Sequence, residues 1–256
     1  MLKLNISLAI LLLLPSLLWA ESWQAESGDK QVAVLELFTS EGCGLCPAAE
    51  HWVSGLDEQG ITEKQLIVLG FHIDYLNDSK GWIDRFASPL FSNRQRQLAR
   101  INLYDTVYTP EFVLGGEVIH NWDKHVKKGI RTLNNFESEA DIVLSVEQKA
   151  EQLIIESKLH IEGKANQEHA KLYIAIIEDN IISKVESGDN RGMTFNHQHL
   201  VRQWLGPFDL DASGDSTIAI TVDKNEQWKS EQLSVVAVVQ NLDDGFVLQG
   251  LKLALE

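Results

Sequence analysis

Apolar positions along the chain change texture near residue 136. From Gln31 to about Asn135, continuous apolar runs alternate with stretches of helical spacing. Val32-Ala33-Val34-Leu35-Glu36-Leu37-Phe38 predicts a strand that ends near Thr39. Leu66 to Ile73 is almost unbroken, as a strand buried on both faces requires, so the two are expected to pair in parallel. Between them Leu45, Ala49, Trp52, Val53 and Leu56 recur at helical spacing, with Glu50, His51 and Ser54 on the other side, which predicts an amphipathic helix beginning at the cysteines. Ser88 to Ile101 predicts another helix and Lys124 to Leu133 a third. Glu111 to Leu114 and Glu117 to Ile119 flank Gly115-Gly116 as a hairpin should.

Beyond Asn134-Asn135-Phe136 the runs are β-branched or alternating: Ile142 to Val146, Leu153 to Ile161, Leu172 to Ile177, Ile218 to Val222, Leu233 to Val239 and Phe246 to Leu255. Asp244-Gly245 suits a hairpin turn between the last two. A mostly antiparallel β-sandwich is the expected class for this half. The first residues carry Lys3, a greasy stretch from Ile6 to Leu14, and Pro15 to Ala20 before Glu21, the pattern of an export signal. The expected organisation is therefore a signal peptide at 1–20, an α/β domain at 30–135 and a β-sandwich-like domain at 139–256, with the switch of pattern marking the boundary. Export implies a periplasmic or secreted location, with no membrane contact after cleavage.

Composition bears on partners. The formal net charge of -15 repels nucleic acid and anionic membranes alike. Two cysteines in a chain of 256 residues cannot staple the fold, so their place in the sequence is the more telling fact. Cys43 and Cys46 stand in Glu41-Gly42-Cys43-Gly44-Leu45-Cys46-Pro47, at a strand-to-helix junction, where a C-x-x-C is a redox signature. At the front of a helix, Cys43 would favour the thiolate and attack, and Cys46 would resolve. A static disulfide or a pair of metal ligands is the competing reading, although no second C-x-x-C completes a structural zinc site. Tyr108-Thr109-Pro110 precedes a strand, where a cis proline would leave the Thr109 backbone free to pair with an extended substrate. Glu36 interrupts an apolar strand and either relays a proton to Cys46 or pairs with Arg94 or Arg96. His72 and Asp74 close the second strand, and Tyr75, Trp82 and Asp84 follow. Strand ends of an open α/β sheet converge on one crevice, so these are supporting candidates, with a core histidine and a turn aspartate as the plain alternatives. His197 and His199 would share one strand face as a pair of metal ligands could, but without further ligands solvated polar residues are the simpler reading.

Taken together, Glu36 through Cys43, Cys46-Pro47, His72-Ile73-Asp74-Tyr75, Gly81-Trp82-Ile83-Asp84, Tyr108-Thr109-Pro110, Gly188-Asp189-Asn190-Arg191-Gly192 and His197 through Arg202 resemble a secreted bacterial thioredoxin-like family of unknown function. That resemblance, like the order β-α-β-α-β-β-α of the first half, implies a thioredoxin-like fold with a redox-capable pair. The expected function is an exported thiol-disulfide oxidoreductase without a cofactor, exchanging electrons with disulfide- or thiol-containing client proteins and a recycling partner. Two alternatives stay open. One is an exported copper or zinc binder using both cysteines and a histidine such as His72; the other is an interaction protein whose thioredoxin-like domain is inert.

Overall fold

A computed structural model describes residues 21–78 and 81–256, so the export signal expected at 1–20 lies outside the described residues. Strand β1 (Glu21–Glu26) precedes β2 (Ala33–Thr39), after which the chain turns through the two cysteines into α1 (Cys46–Ser54). Next come β3 (Leu66–His72), α2 (Pro89–Ile101), the hairpin of β4 (Glu111–Leu114) and β5 (Glu117–Ile119), and α3 (Trp122–Leu133). The remainder is β6 (Ala140–Lys149), β7 (Gln152–Ile161), the short α4 (Lys164–His169), β8 (Ala170–Glu178), β9 (Ile181–Lys184), β10 (Thr194–His197), β11 (Leu200–Asp209), β12 (Asp215–Asp223), β13 (Leu233–Asn241) and β14 (Val247–Ala254).

Local signals act as elementary chemistry dictates. β2 and β3 pair in parallel, from Ala33 opposite Leu66 to Thr39 opposite His72. Ser88 caps α2 by accepting the Leu90 N–H, and Pro89 occupies the first turn, where a missing N–H costs nothing. Asp244-Gly245 joins β13 to β14, which pair antiparallel.

The expected fold class does not hold. Eight strands form one mixed sheet in the order β14-β13-β8-β11-β3-β2-β4-β5, and β1-β6-β7-β12 form a second of four. The protein is mostly β, built on large sheets, rather than an α/β thioredoxin-like domain followed by a separate sandwich. The strand that joins the halves is β11. It pairs with β3 in parallel at Leu200–Gly70 and with β8 antiparallel along its length. Its sequence hides it, because Arg202, Gln203, Gly206, Pro207 and Asp209 break any apolar run and its ladder shifts register between Leu205 and Phe208. Gly70 makes the joint possible. Its N–H donates to His199 O at 2.8 Å, and a Cβ there would lie 3.2 Å from the same carbonyl.

Alternation along β2 and β3 then divides the side chains between two faces. Val34, Phe38, Ile67, Leu69 and Phe71 face α2, where they meet Tyr173, Val236 and Val238 from the second half. Ala33, Leu35, Leu37, Leu66 and Val68 face α1 and α3. Further along that second face the four-stranded sheet packs Leu144 and Ile155 against Ile174, Ile176 and Val235. Each fully buried side chain of this kind contributes about 1.5–3 kcal/mol, enough in aggregate to make a disulfide framework unnecessary. Among the described residues no helix is long and apolar enough to cross a membrane.

Candidate functional site

Cys43 and Cys46 are joined as a disulfide, with their Cα atoms 5.4 Å apart. The helix begins at the second cysteine, Cys46, so Cys43 lies in the turn before it and not at the helix front. The preceding residues turn back on themselves, the Cys43 N–H donating to Ser40 O at 3.1 Å and the Cys46 N–H to Cys43 O at 3.2 Å. Cys46 is fully buried and Cys43 retains 7% exposure, while Gly44 and Leu45 between them stand in solvent. The second half of the chain holds this loop. Asn190 Nδ2 donates to Glu41 O at 2.9 Å and to Cys43 O at 2.8 Å, and the Asp189 side chain lies 3.4 Å from where a Gly44 Cβ would be.

Behind the loop lies a buried polar network. His197, at the end of β10, sets Nδ1 2.8 Å from Glu50 Oε2 on α1 and Nε2 3.1 Å from Glu41 Oε1. Burial alone would make this imidazole shed its proton, but the two carboxylates outweigh it and raise its pKa to about 9. Burial pushes Glu50 upward; the His197 hydrogen bond and the neighbouring histidine charges reverse that and leave it below its ordinary value. The other oxygen of Glu50 accepts from Thr39 Oγ1 at 2.7 Å, and Trp82 Nε1 donates to Glu41 Oε2 at 3.1 Å. His72, closing β3, places Nδ1 2.7 Å from Asp84 Oδ2. Against burial, that imidazole and the backbone N–H groups of Glu41 and Phe86 bring the Asp84 pKa down to about 2. The His72 and His197 rings meet edge to face, 4.8 Å between centroids. A cavity of about 470 Å³ is bordered by Thr39, Pro47, Glu50, His72, Phe195 and His197.

The sequence candidates thus separate. Cys43, Cys46, His72, Trp82 and Asp84 come together. Glu36 does not join them: its oxygens accept from Arg94 Nε at 2.9 Å and Nη2 at 2.7 Å, on the α2 face of the sheet and away from α1. Asp74 is also elsewhere, its backbone N–H donating to Ser92 Oγ on α2 and its carboxylate accepting from the same hydroxyl. The Thr109–Pro110 peptide is cis, as its motif suggested, and lies just beyond the pairing of Glu111 with Phe38, at the sheet end from which the cysteine loop departs. His197 and His199 do not share a face. His199 has φ +57° and turns its Nδ1 to Asp179 at 3.3 Å, while His197 is buried rather than solvated.

Glu41, Glu50 and Asn190 are polar residues to which the sequence alone assigns no role, and His197 is one it reads as solvated. Part of their signal is present in the stretches Gly188 to Gly192 and His197 to Arg202. Only the insertion of β11 beside β3 shows why those stretches meet the cysteines.

Glu111, next to Pro110, provides a pH test. It is buried, accepts from Gln95 Nε2 at 2.8 Å, and sits near the Tyr75 and Tyr108 hydroxyls; burial raises its pKa to about 7. The folded protein therefore holds a proton that the unfolded chain has released once the pH passes about 4.5, and stability should fall as pH rises from there to about 7. Glu111→Gln should flatten this slope and gain about 1–2 kcal/mol over the native chain at pH 8, read by urea unfolding at pH 5 and 8. Parallel pH dependence in the two proteins would refute the assignment.

The fold has solved relatives. Protein AGR_C_4864 from Agrobacterium tumefaciens is 20% identical, with a TM-score of 0.61 over 90% of this chain and 97% of that one. HBP35 of Porphyromonas gingivalis is 16% identical, with a TM-score of 0.69 over 90% of this chain and 76% of that one. At such identities the likeness shows the fold alone. No curated protein matches the chain. The model of a family described as "Protein of unknown function (DUF1223)" matches residues 34–240.

Proposed function

We propose that the chain, which belongs to the DUF1223 family, is an exported thiol-disulfide oxidoreductase working through the Cys43/Cys46 couple. One observation carries the reading: the disulfide spans an exposed Gly44-Leu45 elbow and joins a cysteine that retains some exposure to one that has none. That asymmetry separates the roles. A client thiolate attacks Cys43 Sγ, the Cys43–Cys46 bond breaks, and Cys46 leaves as a thiolate at the positive end of α1. A second client thiolate then attacks its own sulfur in the mixed disulfide and releases Cys43, so that the client loses two electrons and the couple gains them. The same steps reversed reduce a client disulfide, and a recycling partner restores the couple. The Thr109 backbone beside Pro110 is the surface offered to the client chain.

Reduced Cys46→Ala incubated with insulin should accumulate a mixed disulfide that persists on a non-reducing gel, and Cys43→Ala should not. Equal trapping by both variants, or none by either, would end the assignment. A second reading, a static disulfide that pins the loop of an inert interaction protein, is favoured by the deep burial of Cys46. It predicts that dithiothreitol leaves the bond closed in the folded protein.

A further inference from the structure

The buried network contains more order than a redox couple needs. Glu50, His72 and His197 each offer one ligand atom, and these atoms lie within 4.8 Å of one another. Every one of the three is oriented from behind. Asp84 takes His72 Nδ1, Glu41 takes His197 Nε2, and Thr39 donates to Glu50 Oε1. What remains toward the common centre is His72 Nε2, His197 Nδ1 and Glu50 Oε2. Outer carboxylates holding the far nitrogen of an imidazole fix its tautomer and strengthen it as a ligand, as metal-bound histidines require. The charge balance agrees, since three carboxylates surround two imidazoles in the protein's interior. The three residues also border the 470 Å³ cavity, which leaves room for water or a small ligand at the remaining position.

We propose that Glu50, His72 and His197 form a site for a divalent first-row transition metal, with zinc the ion that two imidazoles, one carboxylate and an open position suit. On binding, the ion takes the place of the proton shared by His197 Nδ1 and Glu50 Oε2, 2.8 Å apart here, and that proton leaves to water. Ligands about 2.1 Å from a tetrahedral ion stand about 3.4 Å apart, so movements of the order of 1 Å assemble the sphere. Neither cysteine belongs to this site. It is distinct from a carrier built on Cys43, Cys46 and a histidine, and it stands or falls independently of the redox reading.

The test uses the full chain with its disulfide intact, stripped by chelator and desalted. Zinc titrated by calorimetry should bind at one equivalent, and cobalt should give the intense visible absorption of a tetrahedral centre at the same stoichiometry. Glu50→Gln and His72→Gln should each weaken zinc at least tenfold, with circular dichroism confirming that the variants are folded. Glu50→Gln can still accept from His197, so it is the variant expected to keep its fold. Should both variants unfold, the native chain decides: zinc should raise its melting temperature, and X-ray absorption of the zinc-loaded chain should show two imidazoles and no sulfur around the ion. No stoichiometric binding, binding untouched by the substitutions, or binding only after the disulfide is reduced would overturn the proposal.

Discussion

Arg94→Ala is expected to lower stability by about 3–5 kcal/mol, because it strands Glu36 in the interior without its cation. The pair is fully enclosed: both side chains are 1% exposed. Two of the three guanidinium nitrogens contact Glu36, and Nη2 also donates to Gln240 Oε1 at 2.8 Å on β13, so the arginine ties α2 to strands from both halves of the chain. Its guanidinium carbon also lies over Tyr173, 4.9 Å from the ring centroid. Desolvating two charges is costly, and geometry this complete is what offsets that cost. Removing both charges together therefore costs far less than removing one. Arg94→Met combined with Glu36→Leu should recover most of the loss in urea unfolding, and equal losses for the single and double variants would show that volume rather than charge governs the site. The double variant also addresses the expectation that Glu36 passes a proton to Cys46. Glu36 faces α2 and the cysteines sit at the head of α1 on the other face, so the rate of disulfide exchange in the double variant should match that of the native chain.

How much of this is legible in the residues depends on the range of the signal. Strands β2 and β3, the capped helix after Ser88, the Gly115-Gly116 hairpin and the Asp244-Gly245 turn are local, set by periodicity and turn chemistry, and each forms where the pattern places it. Sheet order is not local. A strand recruited beside Gly70 from 130 residues away leaves no periodic trace when Gly206 and Pro207 interrupt it, and without that strand one large sheet looks like two domains. The site divides the same way. Cys43 and Cys46 are close in sequence and announce themselves, and His72, Trp82 and Asp84 follow from a strand end. Glu41 and Glu50 look like ordinary surface acids of a turn and a helix, because nothing in their neighbourhood in sequence foretells an imidazole arriving from His197. Glu36 is conspicuous for the opposite reason: a charge inside an apolar strand needs either a task or a partner, and Arg94, one of the two arginines the sequence offered, is the partner.

The same long-range packing gives the second large effect. Asn190→Leu is expected to speed reduction of the Cys43–Cys46 disulfide by dithiothreitol about tenfold. Asn190 is 4% exposed and its one amide group satisfies two carbonyls of the cysteine loop, those of Glu41 and Cys43. The Cys43 carbonyl keeps the Cys46 N–H, whereas the Glu41 carbonyl loses its donor, at a cost of about 1–3 kcal/mol; the closed loop should therefore lose about 1.4 kcal/mol relative to an opened one in which water satisfies that group. A reductant must reach Cys43 Sγ, and Cys43 as a residue is only 7% exposed in the closed loop, so attack is fastest through the opened form and its rate follows that population. Every 1.4 kcal/mol is tenfold, which converts the loss into a factor of about ten. Asn190→Asp distinguishes the donor from the shape: an ionised carboxylate has the same outline, donates nothing, and sets a negative charge against two carbonyl oxygens, so reduction should be at least as fast. Reduction at the native rate in both variants would mean that the loop is held by other contacts and that the second half of the chain does not control access to the sulfurs.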